Sequence, residues 1–476
     1  MINSACHLSI LSTIILAPLD HCAPGGQPDR PTLGPALDTE MSMEEIVRGI
    51  CSQDAHQQFI AAQNARKILS RKSCPPIDAM IATGVVPYLV QFLICHDNIP
   101  LQFEACWAVA NITSGNFVQR RTVVEAGAVP NFASLLSSPH ANVAEKAVWA
   151  LRKIAGDGVY CDLIIGNNII PPLQALLTPD ISPLLRRNIT GIFLNICINM
   201  PPPFDAIMMV LPSLAELIND NDQEVVRDSL CTISCLTEGS NRERQEVVNV
   251  GILPRLCELL KWREVSILLP ALSAVGNIIC LDDEHAETVI NVGALQTLLR
   301  HPDNSIVEEA CSVIFNTAGT PTQIQALIDD GLVDLVIDVL RKDDYESQNK
   351  AIWAVKSEAI WVIKSITSGG TIEQIIFLIN AGVIPPVCNL LVVEDSKILT
   401  VALDALANIL NAAIKNGTTK SVCCDLEQYG GLDRIKNLIK HEESEVYKSA
   451  FTIIGMAYFA GEFNNNCDRW SAQNIV

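Results

Sequence analysis

The sequence predicts an all-α solenoid, in which short helical units stack so that each buries its apolar face only against its neighbours. Three observations predict it. A helix bearing Trp and Asn returns along the chain at a near-constant interval, and an unlike marker, a Gly followed by two apolar residues and often Pro, returns with the same interval. The third is composition: the 476 residues are 49% hydrophobic but only 5% aromatic and 18% charged, which suits layered helices of Leu, Ile, Val and Ala. A chain of this length exceeds one ordinary core, whereas a solenoid grows by adding units.

The helix is clearest at 103–115, FEACWAVANITSG, where Trp107 and Asn111 stand four residues apart and so share a face. An Asn beside an indole needs partners for two donors and an acceptor, which favours a surface that meets something polar. Trp149 follows Trp107 by 42 residues, and Asn195 follows Asn111 by 84, with Gly191 where a Trp would stand. Later copies end at Cys235, Asn277, Asn316, Ser365 and Asn408, in steps of 40, 42, 39, 49 and 43. The second marker keeps phase at Gly84-Val-Val-Pro87, Gly127-Ala-Val-Pro130, Gly251-Ile-Leu-Pro254 and Gly382-Val-Ile-Pro385. A period in the low forties with helical patterning indicates armadillo or HEAT units.

Taken in order, residues 1–42 are atypical. An apolar run at 8–19 has no Lys or Arg before it and is followed by the Pro- and Gly-rich CAPGGQPDRPTLGP, so it reads as a disordered leader rather than a signal peptide. From Met43 paired helices begin, MEEIVRGICS and QFIAAQNARKILSRK, closed by the breaker Cys74-Pro75-Pro76. Repeats then run to 459, with Pro at helix starts where its missing N–H is not needed. AIWAVKS at 351 is copied as AIWVIKS at 359, an eight-residue duplication that explains the long step of 49. The two copies face roughly 80° apart at 3.6 residues per turn, so either the helix protrudes or the extra turns loop out. A polar tail, 460–476, ends the chain.

The net charge of −20 disfavours nucleic acid and favours basic ligands. Seventeen cysteines scattered through helices without a Cys-x-x-Cys pair read as reduced thiols of a cytosolic or nuclear protein. No Gly-rich phosphate loop, His-Glu-x-x-His or Gly-x-Ser-x-Gly is present, so the chain is read as no enzyme, with no cofactor, catalytic residue or metal. Asp282-Asp283-Glu284-His285 reads as a solvated loop between helices rather than a metal site.

The stretches FEACWAVANITSG, SSPHANVAEKAVWALRKIAGDG, CLTEGSNRERQEVVNVGILPRL, TSGGTIEQI and Gly-Gly-Leu-Asp at 430–433 resemble the importin alpha (karyopherin alpha) family over about 43–459, on the side of its divergent alpha-1 or oocyte-type members. The resemblance implies a right-handed superhelical armadillo solenoid of about ten repeats whose groove takes the basic nuclear localisation signals of cargo. An Asn ladder would fix the peptide backbone, indole slots would take lysine methylenes, and carboxylates would take the ammonium tips. The major site so implied is Trp107, Asn111, Gly115, Trp149, Asp157, Asn195, Glu224 and Asp228, with Asp157 meeting the key lysine. The minor site is Asn277, Glu309, Asn316, Glu358, Trp361 and Asn408.

Against the family pattern, Arg120, Lys146 and Lys153 place added cations at or beside the major site. Each close like-charge pair would cost about 1 kcal/mol even at water-like dielectric. Gly191, Cys231 and Ser312 stand at Trp positions, Ser365 at an Asn position and Ser273 at an Arg position. Residues 1–42 hold one Arg and no Lys, unlike the family's basic arm, so recruitment of importin beta through that arm is not expected. The expected function is import of protein through the nuclear pore, between cytoplasm and nucleus. The alternative is an armadillo scaffold or decoy with impaired signal binding and no importin-beta recruitment. Export-factor and nucleoporin contacts at the carboxyl repeats are further expectations, and neither nucleic acid nor membrane is.

Overall fold

Residues 141–155, ANVAEKAVWALRKIA, show how one unit is built. Val143, Ala144, Ala147, Val148, Leu151, Ile154 and Ala155 recur at three- and four-residue spacing and are buried. That leaves Lys146, Trp149 and Lys153 on one outward strip of the helix. The computed structural model describes residues 41–71, 74–199, 204–281, 283–342 and 350–459, and contains no strand among them. The leader expected at 1–42 lies outside the described residues up to 40, as does the tail at 460–476.

Two compact units divide the chain after Ile252. In the first, five long helices follow one another: α1 (Ala55–Leu69), α2 (Ile99–Thr113), α3 (Ala141–Ala155), α4 (Pro183–Asn199) and α5 (Gln223–Thr237). Each packs on the next, and Met43–Ile50 packs on α1. Shorter helices lie against their own long helix, Val86–Phe92 on α2 and Ala128–Leu135 on α3. In the second unit α6 (Val265–Ile278), α7 (Asn304–Thr317), α8 (Lys350–Gly369), α9 (Ser396–Asn416) and α10 (Ser444–Phe459) pack in the same serial manner. Within each unit the long helices pack in series, which is the packing that a low-forties period requires.

Local chemistry sets the unit boundaries. The marker glycines Gly127, Gly251 and Gly382 have φ of 80°, 75° and 78°, a left-handed turn open to residues without a Cβ. Asn168 takes the same place in Asn168-Ile-Ile-Pro171 with φ 52°, using the tolerance of Asn for that region. Capping boxes start the intervening helices at Asn116 with Gln119, Ser240 with Glu243, Thr320 with Gln323 and Thr371 with Gln374.

The duplicated segment is one unbroken 20-residue helix, α8. The second copy takes the packed place, with Ala359, Ile360, Val362 and Ile363 fully buried, while Trp353 of the first copy is exposed. Asp283 and His285 belong to the helix Asp283–Asn291 rather than to a loop, because the residues that follow them continue a helical apolar pattern. Among the described residues no group of His, Cys, Asp and Glu is placed to hold a metal. α9 is long and apolar enough to cross a membrane, but 61% of its apolar window is buried inside the protein, between α8 and α10. The fourteen described cysteines are all free thiols, and burial pushes Cys106, Cys197 and Cys231 up to about 12.

Candidate peptide-binding faces

In the first unit the outward strips of α1, α2 and α3 bring two indoles and two cations together. Lys146 points its ammonium over the Trp107 ring, 4.2 Å from the centroid, and reaches to 5.8 Å from the Trp149 ring. The Arg66 guanidinium covers Trp107 from α1 at 4.6 Å, held there by an ion pair to Glu104 of 2.7 Å. Phe103 packs edge-on against Trp107 with centroids 5.6 Å apart. Burial pushes the Lys146 ammonium below the ordinary lysine range, with the Arg66 charge adding a smaller push and Glu145 opposing it.

The candidate-site carboxylates of this unit, Asp157, Glu224 and Asp228, are already paired. Asp157 accepts a two-pronged contact from Arg120, through Nε and through Nη2 at 2.8 Å, and Arg120 Nη1 also donates to the Gly115 carbonyl. Glu224 accepts from Arg152 at 3.1 Å and pairs with Arg187 at 3.2 Å. Asp228, almost wholly buried, pairs with Arg227 at 2.7 Å and lies 4.0 Å from Arg152. Burial raises the Asp228 carboxyl above its usual range, and the Arg227 and Arg152 charges oppose that rise. Arg152 also donates to Asn188 Oδ1 and occupies the space above Gly191, where an added Cβ would collide with the guanidinium. The missing side chain at Gly191 therefore makes room for Arg152.

Asn195, Asn316 and Asn408 are half-exposed while Asn111 is nearly buried, and all four amides also bond within the protein. Asn111 is 7% exposed and donates to Ser70 Oγ at 2.9 Å, and Asn195 donates to the Arg152 carbonyl at 3.3 Å. In the second unit Asn316 donates to the Gly276 carbonyl at 3.1 Å and Asn408 to Ser368 Oγ at 3.1 Å. Each amide reaches the carboxyl end of the preceding long helix, adding a bond there to a carbonyl or hydroxyl oxygen. Ser365, at the seventh Asn position, does likewise by donating its hydroxyl to the Ala318 carbonyl at 2.8 Å. Asn111, Asn195, Asn316 and Asn408 thus tie α2, α4, α7 and α9 to the long helix before each, and Asn277 is shielded at 8% exposure.

The second unit brings Glu309 and Asn316 of α7 against Glu358 and Trp361 of α8. Trp361 meets Phe315 edge-on at 6.0 Å, and Lys364 lies 5.0 Å over its ring while pairing with Asp404 at 3.3 Å. Burial, with the charges of Glu308 and Glu309, lifts the Glu358 carboxyl to about 7. Burial and Glu309 do the same to Glu308. Two acids with raised proton affinity, with Glu309 beside them and an indole at hand, form a face that gains from a cation.

Arg66, Glu104 and Lys364 also belong to these faces, though the sequence alone did not single them out. Register would have found the first: Arg66 precedes Trp107 by 41 residues and so holds the indole position of its own repeat. The position three residues before the indole position also carries a signal, being Glu104, Asp228, Glu309 and Glu358 in four repeats and Lys146 in one.

Comparison with known proteins agrees with this geometry. A model of the armadillo/beta-catenin-like repeat matches residues 73–114, 116–156, 240–279 and 371–410, and an atypical Arm repeat matches 420–469. A solved engineered protein superposes with a TM-score of 0.74 at 26% identity, covering 87% of this chain and 98% of its own. A chain from a structure of the cadherin and beta-catenin interaction gives 0.73 at 16% identity, covering 88% of this chain and 84% of its own, a likeness of fold alone. The molecule is an armadillo-repeat protein. Importin subunit alpha-1b of Oryza sativa subsp. japonica is 40% identical over 421 residues, 86% of this chain and 77% of that one. Importin subunit alpha-4 of Arabidopsis thaliana is 37% identical over 440 residues, 90% and 80% of the two chains. The chain belongs to the importin alpha family.

Proposed function

We propose that this protein is a nuclear import adaptor that receives basic nuclear localisation signals on the outward faces of its long helices and works between cytoplasm and nucleus, with importin beta as the family's carrier partner. The observation that carries the reading is the second-unit face, where Trp361 lies beside Glu358 and both belong to a helix packed on the Glu309 helix. An apolar ring for a lysine stem next to carboxylates for its ammonium is the chemistry that a lysine-rich segment needs. The family membership supports the same reading, and so does the net charge of −20. Nothing in it requires catalysis.

The test is fluorescence anisotropy of a labelled lysine-rich signal peptide titrated with the full chain, beside the same peptide with its lysines replaced by alanine. Selective binding of the lysine peptide is expected, with loss on Trp361→Ala. Equal binding of both peptides, or none, overturns the reading. A pulldown with purified importin beta checks the second partner.

A further inference from the structure

We infer that the groove of the first unit is closed by the chain's own cations, with Lys146 acting as a resident ligand in the indole slot, so that lysine-rich peptides are directed to the second unit. The inference rests on the signal-binding reading and assigns that activity to one of the two faces.

The geometry is that of a bound lysine supplied from within. A ligand cation is recognised by an indole when it lies within about 6 Å of the ring centroid, and the Lys146 ammonium meets that condition for both Trp107 and Trp149. Its stem runs from α3, the same helix that carries Trp149, so no conformational search is needed to place it. The register of the repeats shows that this is a reversal of sign: where Glu104, Asp228, Glu309 and Glu358 stand in other repeats, Lys146 stands here.

The polar half of the groove is filled in the same way. Asp157, the carboxylate placed to take a ligand ammonium, is held by the bidentate Arg120, which also occupies the Gly115 carbonyl. A planar fork on a carboxylate is stronger and more directional than a lysine ammonium, so an incoming lysine loses that exchange. Glu224 is held by Arg152 and Arg187. Lys153 shares the outward strip of α3 with Lys146 and Trp149 and adds a further repelling charge. The apparent affinity of a peptide for this unit is its affinity for the open groove multiplied by the fraction of time the groove is open.

The second-unit indole also carries a cation, Lys364 5.0 Å over the Trp361 ring, but no lysine stands three residues before it. Glu358 stands three residues before Trp361, at the position where Lys146 stands before Trp149. Lys364 lies over Trp361 but is shared with Asp404.

The experiment titrates the full chain with a short fluorescein-labelled peptide holding one cluster of lysines, by anisotropy and by calorimetry for stoichiometry. The parent is compared with Lys146→Gln/Arg120→Thr, with Lys146→Met, and with each of these carrying Trp107→Ala. Lys146→Met keeps a stem of similar length in the slot and removes only the charge, so it guards against misfolding of the double variant. Parent binding that survives Trp107→Ala but falls with Trp361→Ala, together with a new site in Lys146→Gln/Arg120→Thr that Trp107→Ala removes, supports the inference. Opening is expected to strengthen first-unit binding by about tenfold or more. Parent binding that already collapses on Trp107→Ala, or no gain in either opened variant while the parent binds, overturns the inference and leaves the signal-binding reading standing. No binding by the parent or by either opened variant overturns both.

Discussion

Arg120 and Asp157 join the opening helix of one repeat to the end of its long helix through a two-pronged ion pair in which both side chains are largely buried, 18% and 14% exposed. Asp157 lies just past the end of α3, and Arg120 comes from the helix Phe117–Glu125 that opens the same repeat. The pair therefore serves packing as much as it blocks the carboxylate. Asp157→Ala would leave Arg120 with only the Gly115 carbonyl, and a loss of about 2 kcal/mol is expected, read as an earlier midpoint in urea unfolding. An unmoved midpoint would show that the pair carries no stability.

The second-unit face should respond to pH. Glu308 and Glu358 titrate near 7 in the folded chain, against 4.5 for an unperturbed carboxyl, because burial and their neighbours' charges disfavour ionisation. Their folded values are raised, so the stability they contribute is complete below about 4.5 and is lost as pH rises to about 7. A basic peptide favours the ionised forms, so its affinity should be greater at pH 8 than at pH 6, with proton uptake on release. The check is calorimetry across that range in buffers of different ionisation enthalpy; Glu358→Gln should flatten the dependence, and a flat parent profile would refute it.

The repeat-to-repeat amide bonds predict a graded mutational series. Asn316→Ala removes the bond to the Gly276 carbonyl, and Ser365→Ala the bond to the Ala318 carbonyl, each at a cost of about 1 kcal/mol. Hydrogen exchange should then quicken at the end of α6 in the first case and at the end of α7 in the second. Uniform exchange throughout the unit would mean that the bonds are not local ties.

The two tryptophans of the duplication should differ sharply. Trp361 packs on Phe315 with part of its surface buried, so Trp361→Ala should cost about 2 kcal/mol. Trp353 is 38% exposed and should tolerate alanine within about 0.5 kcal/mol. Thermal melts of the two variants separate the cases, and equal losses would contradict the assignment of the second copy to the packed place.

The repeat, its period and the strip carrying Trp107, Trp149, Asn195 and Trp361 were legible in the sequence because stacking imposes one spacing on every unit. Asn168 in place of the marker glycine was not, since a left-handed turn is a backbone property that two residue types satisfy. The sequence reading placed Lys146 among added cations beside the strip, and the structure adds the Trp107 ring beneath its ammonium. A sequence shows a cation beside a binding strip and not the ring on which its ammonium rests. Pairing of Arg152 with Glu224 spans 72 residues and depends on the empty place at Gly191, a relation that no local pattern contains.

The eight inserted residues of α8 lengthen a helix at its amino end while its carboxyl half keeps its packing partners. A serially stacked protein can therefore absorb new sequence as an outrigger on one unit, without passing a shift of register to the units that follow. Such an outrigger, carrying Trp353 and Lys356, is raw material on which a later contact could be built without first disturbing the core.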